Sequence, residues 1–143
     1  MKRVRVLVDI NVVLDVLLGR EPHVRASSAV WAAIERGWAE GQLAAHAITT
    51  IHYLVRKERG AAQARRTTGA LLRVFGVAAV DGAVIEEALR LPGADFEDCV
   101  TAAAAKLADV NWIVTRDPKG FRGSPVRPLT PEAAAALLAE GHA

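Results

Sequence analysis

The stretch Val4-Arg5-Val6-Leu7-Val8-Asp9-Ile10-Asn11-Val12-Val13-Leu14-Asp15 decides how the rest of the chain is read. Its first half is rich in branched apolar residues, the pattern of a parallel strand covered on both faces. Asn11 to Leu18 then reads as a helix that stops near Gly19, with Pro22 barring its continuation. Asp9 therefore falls at the carboxyl end of the strand, where open α/β sheets place their ligands. An unpaired carboxylate in such surroundings costs several kcal/mol or takes up a proton. Two explanations are open. Asp9 holds a cation, or it only caps the helix that follows, with Asn11 and Asp15 solvated on its first turns.

Outward from this stretch, strands and helices alternate. A second helix is predicted from about His23 to Ala39, because Val24, Ser27, Trp31, Ile34 and Trp38 recur on one face. Its two tryptophans fit either the core or a dimer face. Gly41 is the expected helix stop and Gln42 to His46 the expected second strand. Helices are predicted over Ile51 to Arg59, behind a Thr49 or Thr50 cap, and over Ala61 to Phe75. Val77 to Val80 reads as a third strand, and Asp81 caps a helix whose apolar face is Val84, Ile85, Ala88 and Leu89. The next helix runs from Asp95 through Ala108, and its Thr101 to Ala105 run of small residues lets it approach the sheet. Asn111 to Thr115 gives a fourth strand and Val126 to Leu129 a short last one. Thr130 and Pro131 open an alanine-rich final helix. This alternation predicts a mostly parallel sheet of four to five strands with helices on both faces. No linker or repeat divides residues 1–143, so one domain is expected.

Hydrophobic residues make up 52% of the 143 and charged residues 24%, an ordinary balance for a chain able to bury a core without disulfides. Cys99, the only cysteine, cannot form an intramolecular bridge, which fits a reducing compartment. A net charge of +2 permits an anionic partner without requiring one. Met1-Lys2-Arg3 ahead of an apolar run resembles a secretion signal, but Asp9, Asn11 and Asp15 interrupt that run and no cleavage site follows. No uncharged stretch is long enough to cross a bilayer. A cytoplasmic protein without a membrane partner is the expectation.

Acidic residues recur at equivalent places. Asp9 follows the first strand, and Asp117 follows the fourth, two residues after Thr115. Asp95 and Asp98 open the helix before that strand and, three apart, share a helical face, while Glu97 is expected to point elsewhere. If the first and fourth strands are neighbours, these carboxylates gather in one crevice. Taken singly, each has an architectural explanation: Asp95 with Asp98 resembles a capping arrangement, and Asp117-Pro118 a turn opening. Taken together they repel one another unless a cation holds them. Oxygen ligands with water suit Mg²⁺ or Mn²⁺. Zinc is disfavoured, because His23, His46, His52 and His142 lack ligand spacing. Such cations beside a phosphodiester stabilise the leaving oxygen and generate hydroxide from bound water. Asn11 is then placed to orient a metal-bound water, and the Thr115 hydroxyl to hold Asp117 or a water.

These residues resemble a PIN domain, specifically the VapC-type toxin nucleases of toxin–antitoxin pairs, over nearly the whole chain. Leu7-Val8-Asp9-Ile10-Asn11-Val12-Val13-Leu14-Asp15 is similar to the family's opening motif, which implies a metal-binding Asp9 with Asn11 as its partner. Asp95-Phe96-Glu97-Asp98 resembles the central acidic motif, implying Asp98 as the metal-facing carboxylate with Asp95 in support. Val114-Thr115-Arg116-Asp117 resembles the last motif, implying Thr115 and Asp117. The resemblance implies a PIN-like three-layer αβα sandwich and a Mg²⁺- or Mn²⁺-dependent endoribonuclease. It further implies an RNA substrate, a homodimer and an antitoxin that blocks the site. One departure stands out. The family's usual second-motif glutamate is absent from Ala47-Ile48-Thr49-Thr50-Ile51-His52-Tyr53-Leu54, where His52 takes the matching place. Some branches of the family lack this glutamate too. Losing it lowers the charge of the pocket and weakens the hold on a second metal. His52 either contacts a phosphate or water or packs against Tyr53.

Between Arg56 and Arg73, six basic residues face one acid, Glu58, which reads either as a lead for a phosphate backbone or as a solvated helical face. Arg116, Lys119 and Arg122 flank the last acidic motif and are better placed for substrate, with Arg116 and Lys119 the candidates. Two rival functions remain. One is a catalytically weakened PIN-like module that binds RNA or protein without cutting. The other is an α/β enzyme forming an aspartyl-phosphate at Asp9, although such sites usually want an acid where Asn11 stands.

Overall fold

The strand expected at the start of the chain, β1 (Val4–Val8), is the centre of a five-stranded sheet in a computed structural model that describes residues 3–142. Met1 and Lys2 of the basic amino-terminal stretch lie outside the described residues. After β1 come α1 (Ile10–Leu17), α2 (Val24–Glu35), β2 (Ala39–Ala44), α3 (Ala45–Arg59), α4 (Ala61–Val74) and β3 (Gly76–Ala78). Then follow α5 (Gly82–Leu89), α6 (Phe96–Leu107), β4 (Trp112–Val114), a 3-10 turn at Pro118–Phe121, β5 (Arg127–Leu129) and α7 (Pro131–Glu140). The strand order is β3-β2-β1-β4-β5, and every pairing is parallel.

That order makes β1 and β4 neighbours, in register from Val6 opposite Trp112 to Val8 opposite Val114. The chain leaves β1 toward one edge of the sheet through β2 and β3, then returns to build the other side with β4 and β5. The gap above β1 and β4 is therefore the switch point of the topology, where a crevice opens at the carboxyl ends of the strands.

Side chains of β1 alternate between two cores. Val6 and Val8 pack with α1, α2, α3 and α7 on one face, while Leu7 packs with α5 and α6 on the other. The arrangement is a three-layer αβα sandwich, the PIN-like architecture expected from the sequence. On the second face Ala102 to Ala105 are at most 3% exposed, so small side chains do bring α6 close to the sheet. Trp31 and Trp38 are partly buried against the first core, Trp31 edge-on to Phe75 with ring centres 5.1 Å apart.

Several boundaries differ from the sequence reading. α2 ends at Glu35, and β2 already begins at Ala39, so Gly41 is a mid-strand residue and not a helix stop. α3 starts directly after β2 at Ala45 and needs no threonine cap. Ile85 and Leu89 of α5 are exposed; only Val84 and Ala88 of its expected apolar face are buried. No helix among the described residues is long and apolar enough to cross a membrane.

Candidate metal centre

The site is assembled by register. Because Val8 pairs with Val114, the next residues, Asp9 and Thr115, emerge side by side at the carboxyl edge. The Asp9 amide donates to the Val114 carbonyl at 2.9 Å, and the Thr115 amide to Leu129 at 2.9 Å, extending the ladder by one step on each strand. The Thr115 hydroxyl donates to Asp9 Oδ2 at 2.9 Å and accepts from the Asp117 amide at 3.1 Å. One buried threonine thus ties the first aspartate to the backbone of the last. Asp9 also caps α1, its Oδ1 accepting from the Ile10 amide at 2.9 Å, so it has the architectural role and remains in the crevice as well.

α6 brings the second group. Asp95 caps this helix by accepting from the Asp98 amide at 3.1 Å, which turns both carboxyls toward the same opening. Gly120, in the 3-10 turn, forms the opposite wall. A Cβ there would stand 2.9 Å from Asp117 Oδ2 and 3.1 Å from Asp98 Oδ2. The space between these two carboxylates exists because residue 120 has no side chain. Asp95, Asp98, Asp117, Lys119 and Gly120 line a cleft of about 370 Å³. Asp9, 8% exposed, is not part of that lining but lies near enough for its charge to act on Asp98.

Electrostatics report the crowding. Burial, followed by the charges of Asp95, Asp9 and Glu97, pushes the Asp98 carboxyl up to about 7. Burial raises Asp9 as well, against the hydrogen bonds from Thr115 and Ile10 that favour its charged form. Among the described residues Asp9, Asp95, Asp98 and Asp117 enter no ion pair, with Lys119 and Arg122 of the cleft wall or with any other cation, and His46 beside the group meets Glu97. A hard cation with oxygen ligands fits the donor set, and the gap at Gly120 gives it room.

Glu97 does not point away, as its helical position suggests. Its Oε1 lies 3.1 Å from His46 Nε2, and its carboxyl comes within 4.8 Å of those of Asp95 and Asp98, the tightest metal-capable group among the described residues. The cause is tertiary. His46, in the first turn of α3, draws Glu97 across the crevice, and that contact leads the causes that lower the Glu97 carboxyl. Neither residue was a candidate on sequence grounds. The only signal for His46 is that it follows the expected second strand, and spacing alone gives no partner for it.

The remaining candidates sit elsewhere. Asn11 is exposed at the start of α1, with a long 3.5 Å contact from Arg20. Lys119 is exposed at the cleft wall. Arg116 turns inward, its Nε 3.1 Å from the buried Asp15. His52 faces α4, its Nδ1 3.0 Å from the Thr68 hydroxyl, and so packs between helices outside the acidic crevice.

A parallel α/β sheet with carboxylates gathered at its switch point defines the class of fold and site. Within that class the chain belongs to the PIN domain family, whose model matches residues 5–119, a span holding every acid described above. Among solved structures it is similar to FitAcB from Neisseria gonorrhoeae, at 19% identity and a TM-score of 0.69, covering 88% of this chain and 97% of that one. A toxin–antitoxin complex from Klebsiella pneumoniae is similar at 20% identity and a TM-score of 0.65, covering 88% and 97%. VapBC2 from Rickettsia felis, bound to a DNA fragment from its promoter, is similar at 12% identity and a TM-score of 0.64, covering 88% and 98%. At these identities the likeness is one of fold. No curated protein matches the sequence.

Proposed function

We propose that this protein is a Mg²⁺- or Mn²⁺-dependent endoribonuclease and the toxin of a toxin–antitoxin pair. The observation that carries the reading is the crevice itself: Asp98 is held near pH 7 by burial and by Asp95 and Asp9, opposite Asp117 across the gap at Gly120. When bound, the cation supplies neutralisation of the developing oxyanion and an acidified water. Asp9, Asp98 and Asp117 are the proposed ligands, directly or through water. Asp95 holds the start of α6, and Thr115 holds Asp9 and the Asp117 backbone in register. Asn11, exposed beside Asp9, is the proposed orienting group for a water, and Lys119 the proposed phosphate contact at the rim. Arg116 and His52, engaged with Asp15 and Thr68, support the fold around the site. An antitoxin protein and a second copy of the chain are the proposed partners, the first supported by the toxin–antitoxin complexes among structures of the same fold.

Cleavage of total RNA, assayed with Mg²⁺ or Mn²⁺ and compared with Asp98→Asn, tests the reading. Loss of one metal ligand should lower the rate by about a hundredfold or more, with Mn²⁺ affinity by calorimetry falling in parallel. A variant that cuts as fast as the wild type overturns the assignment. Metal and RNA binding without any cleavage points to the module that binds but does not cut.

A further inference from the structure

α3 carries an exposed stripe that begins at the acidic crevice and runs away from it. His46, in its first turn, touches Glu97. Thr50, Tyr53 and Lys57 follow at spacings of four, three and four, so all four residues share one helical face. The buried face of α3 is Ala47, Ile51 and Val55, and His52 reaches toward α4, which leaves this stripe clear of both. From His46 to Lys57 the rise along the helix is about 16 Å.

Tyr53 is 62% exposed. Beside it Arg56 and Lys57 are exposed, and among the described residues neither enters an ion pair. A place in the last turn of α3 suits two cations through the helix dipole. The dipole gives no reason for an aromatic ring to stand in water next to them. An exposed ring flanked by unpaired cations is the equipment for a single strand: a base stacks on the ring and phosphates meet the cations.

We infer that the α3 stripe of Thr50, Tyr53 and Lys57, with Arg56 at its border three residues after Tyr53, is a track for single-stranded RNA that leads the strand to the crevice at His46. This rests on the ribonuclease reading above. One base stacks on Tyr53, and its flanking phosphates pair with Arg56 and Lys57.

Tyr53 is the only tyrosine in the chain, so protein labelled with 3-fluorotyrosine gives one ¹⁹F resonance from this ring. The labelled protein is titrated with oligoadenylate and oligouridylate in EDTA, and again with Ca²⁺, using inorganic polyphosphate as a charge-only control. The track predicts an upfield shift with either RNA that saturates with the binding curve, and none with polyphosphate. By fluorescence anisotropy, Tyr53→Ala weakens oligoadenylate binding about tenfold. Replacing Arg56 and Lys57 with glutamine reduces the slope of log affinity against log salt by about 1.4. If RNA saturates the protein while the resonance stays still, the track is wrong and the ribonuclease reading survives. A resonance that moves with protein concentration alone means a second copy covers the stripe, which also overturns the track. Absence of RNA binding in every condition removes both.

Discussion

Arg116 stands between two site residues, Thr115 and Asp117, yet its charge is directed into the fold. Its Nε lies 3.1 Å from Asp15 Oδ2, and the Ser27 hydroxyl donates to the same oxygen at 3.1 Å. The Arg116 contact is not aligned as a hydrogen bond and acts as an ion pair. Asp15 is fully buried and its Oδ1 makes no hydrogen bond among the described residues, so Arg116 is its only formal counter-charge there. Removing one partner of such a pair costs about 3–5 kcal/mol, and the Arg116 side chain, 28% exposed, places this pair at the lower end. Arg116→Ala should therefore lower stability by about 3 kcal/mol in urea denaturation followed by circular dichroism. The double change Asp15→Leu with Arg116→Met should recover most of that loss, because it leaves no buried charge. An Arg116→Ala protein as stable as the wild type would show that the pair contributes nothing. The same geometry explains why Lys119, exposed at the cleft, is the better candidate for a phosphate than its neighbour three residues earlier.

At the scale of elements, β2 shows what sequence reading can and cannot reach. Gly41 looks like a helix stop because glycine commonly is one. In the fold it lies mid-strand, where a Cβ would come 2.8 Å from Ile34 Cδ1 and 3.0 Å from Phe75 Cδ1. Its identity is set by α2 and by the residue that ends α4, neither visible from the local sequence. Gly41→Ala should cost about 1–3 kcal/mol by overpacking. Gly41→Ala combined with Ile34→Val should cost less than Gly41→Ala alone, both measured by the same denaturation. Equal losses would mean that Ile34 is not the residue in the way. The start of α3 was hidden for a related reason, since Ala44 offers no side-chain cap. Asp9, Asp95, Asp98 and Asp117 were legible because each is a carboxylate at the end of an apolar strand or the start of a helix, a local conflict that the sequence displays. His46 and Glu97 were not, because their contact spans 51 residues and depends on α3 leaving β2 without a turn. Helical spacing predicts Ile85 and Leu89 as core, and both are exposed, because spacing gives a face without saying what covers it.

For the molecule as a whole, the crevice couples folding to pH and to divalent cations. The Asp98 carboxyl is raised to about 7 by burial, then by Asp95, Asp9 and Glu97, so the folded protein holds this proton more tightly than the unfolded chain. Its contribution to stability is complete below the ordinary carboxylate range and is lost as pH rises through 7. Asp9 shifts in the same direction, chiefly through burial. Glu97 is lowered, so its contribution is lost only as pH falls through the acid range, outside the window from 6 to 8. In EDTA the melting temperature should fall between pH 6 and pH 8. Mg²⁺ or Mn²⁺ binds the ionised carboxylates, so its stabilising effect should grow across the same interval. At a hundredfold excess over its dissociation constant a cation adds about 2.7 kcal/mol. For a domain of this size that is about 5–10 °C by differential scanning fluorimetry. Asp98→Asn, which cannot ionise, should melt higher than the wild type in EDTA at pH 8 and respond little to either cation. A wild-type melting temperature that rises from pH 6 to pH 8 in EDTA, with equal metal shifts at both ends, contradicts the crowding. The four helix- and strand-end acids would then be separate caps on a sheet that happens to bring them near one another.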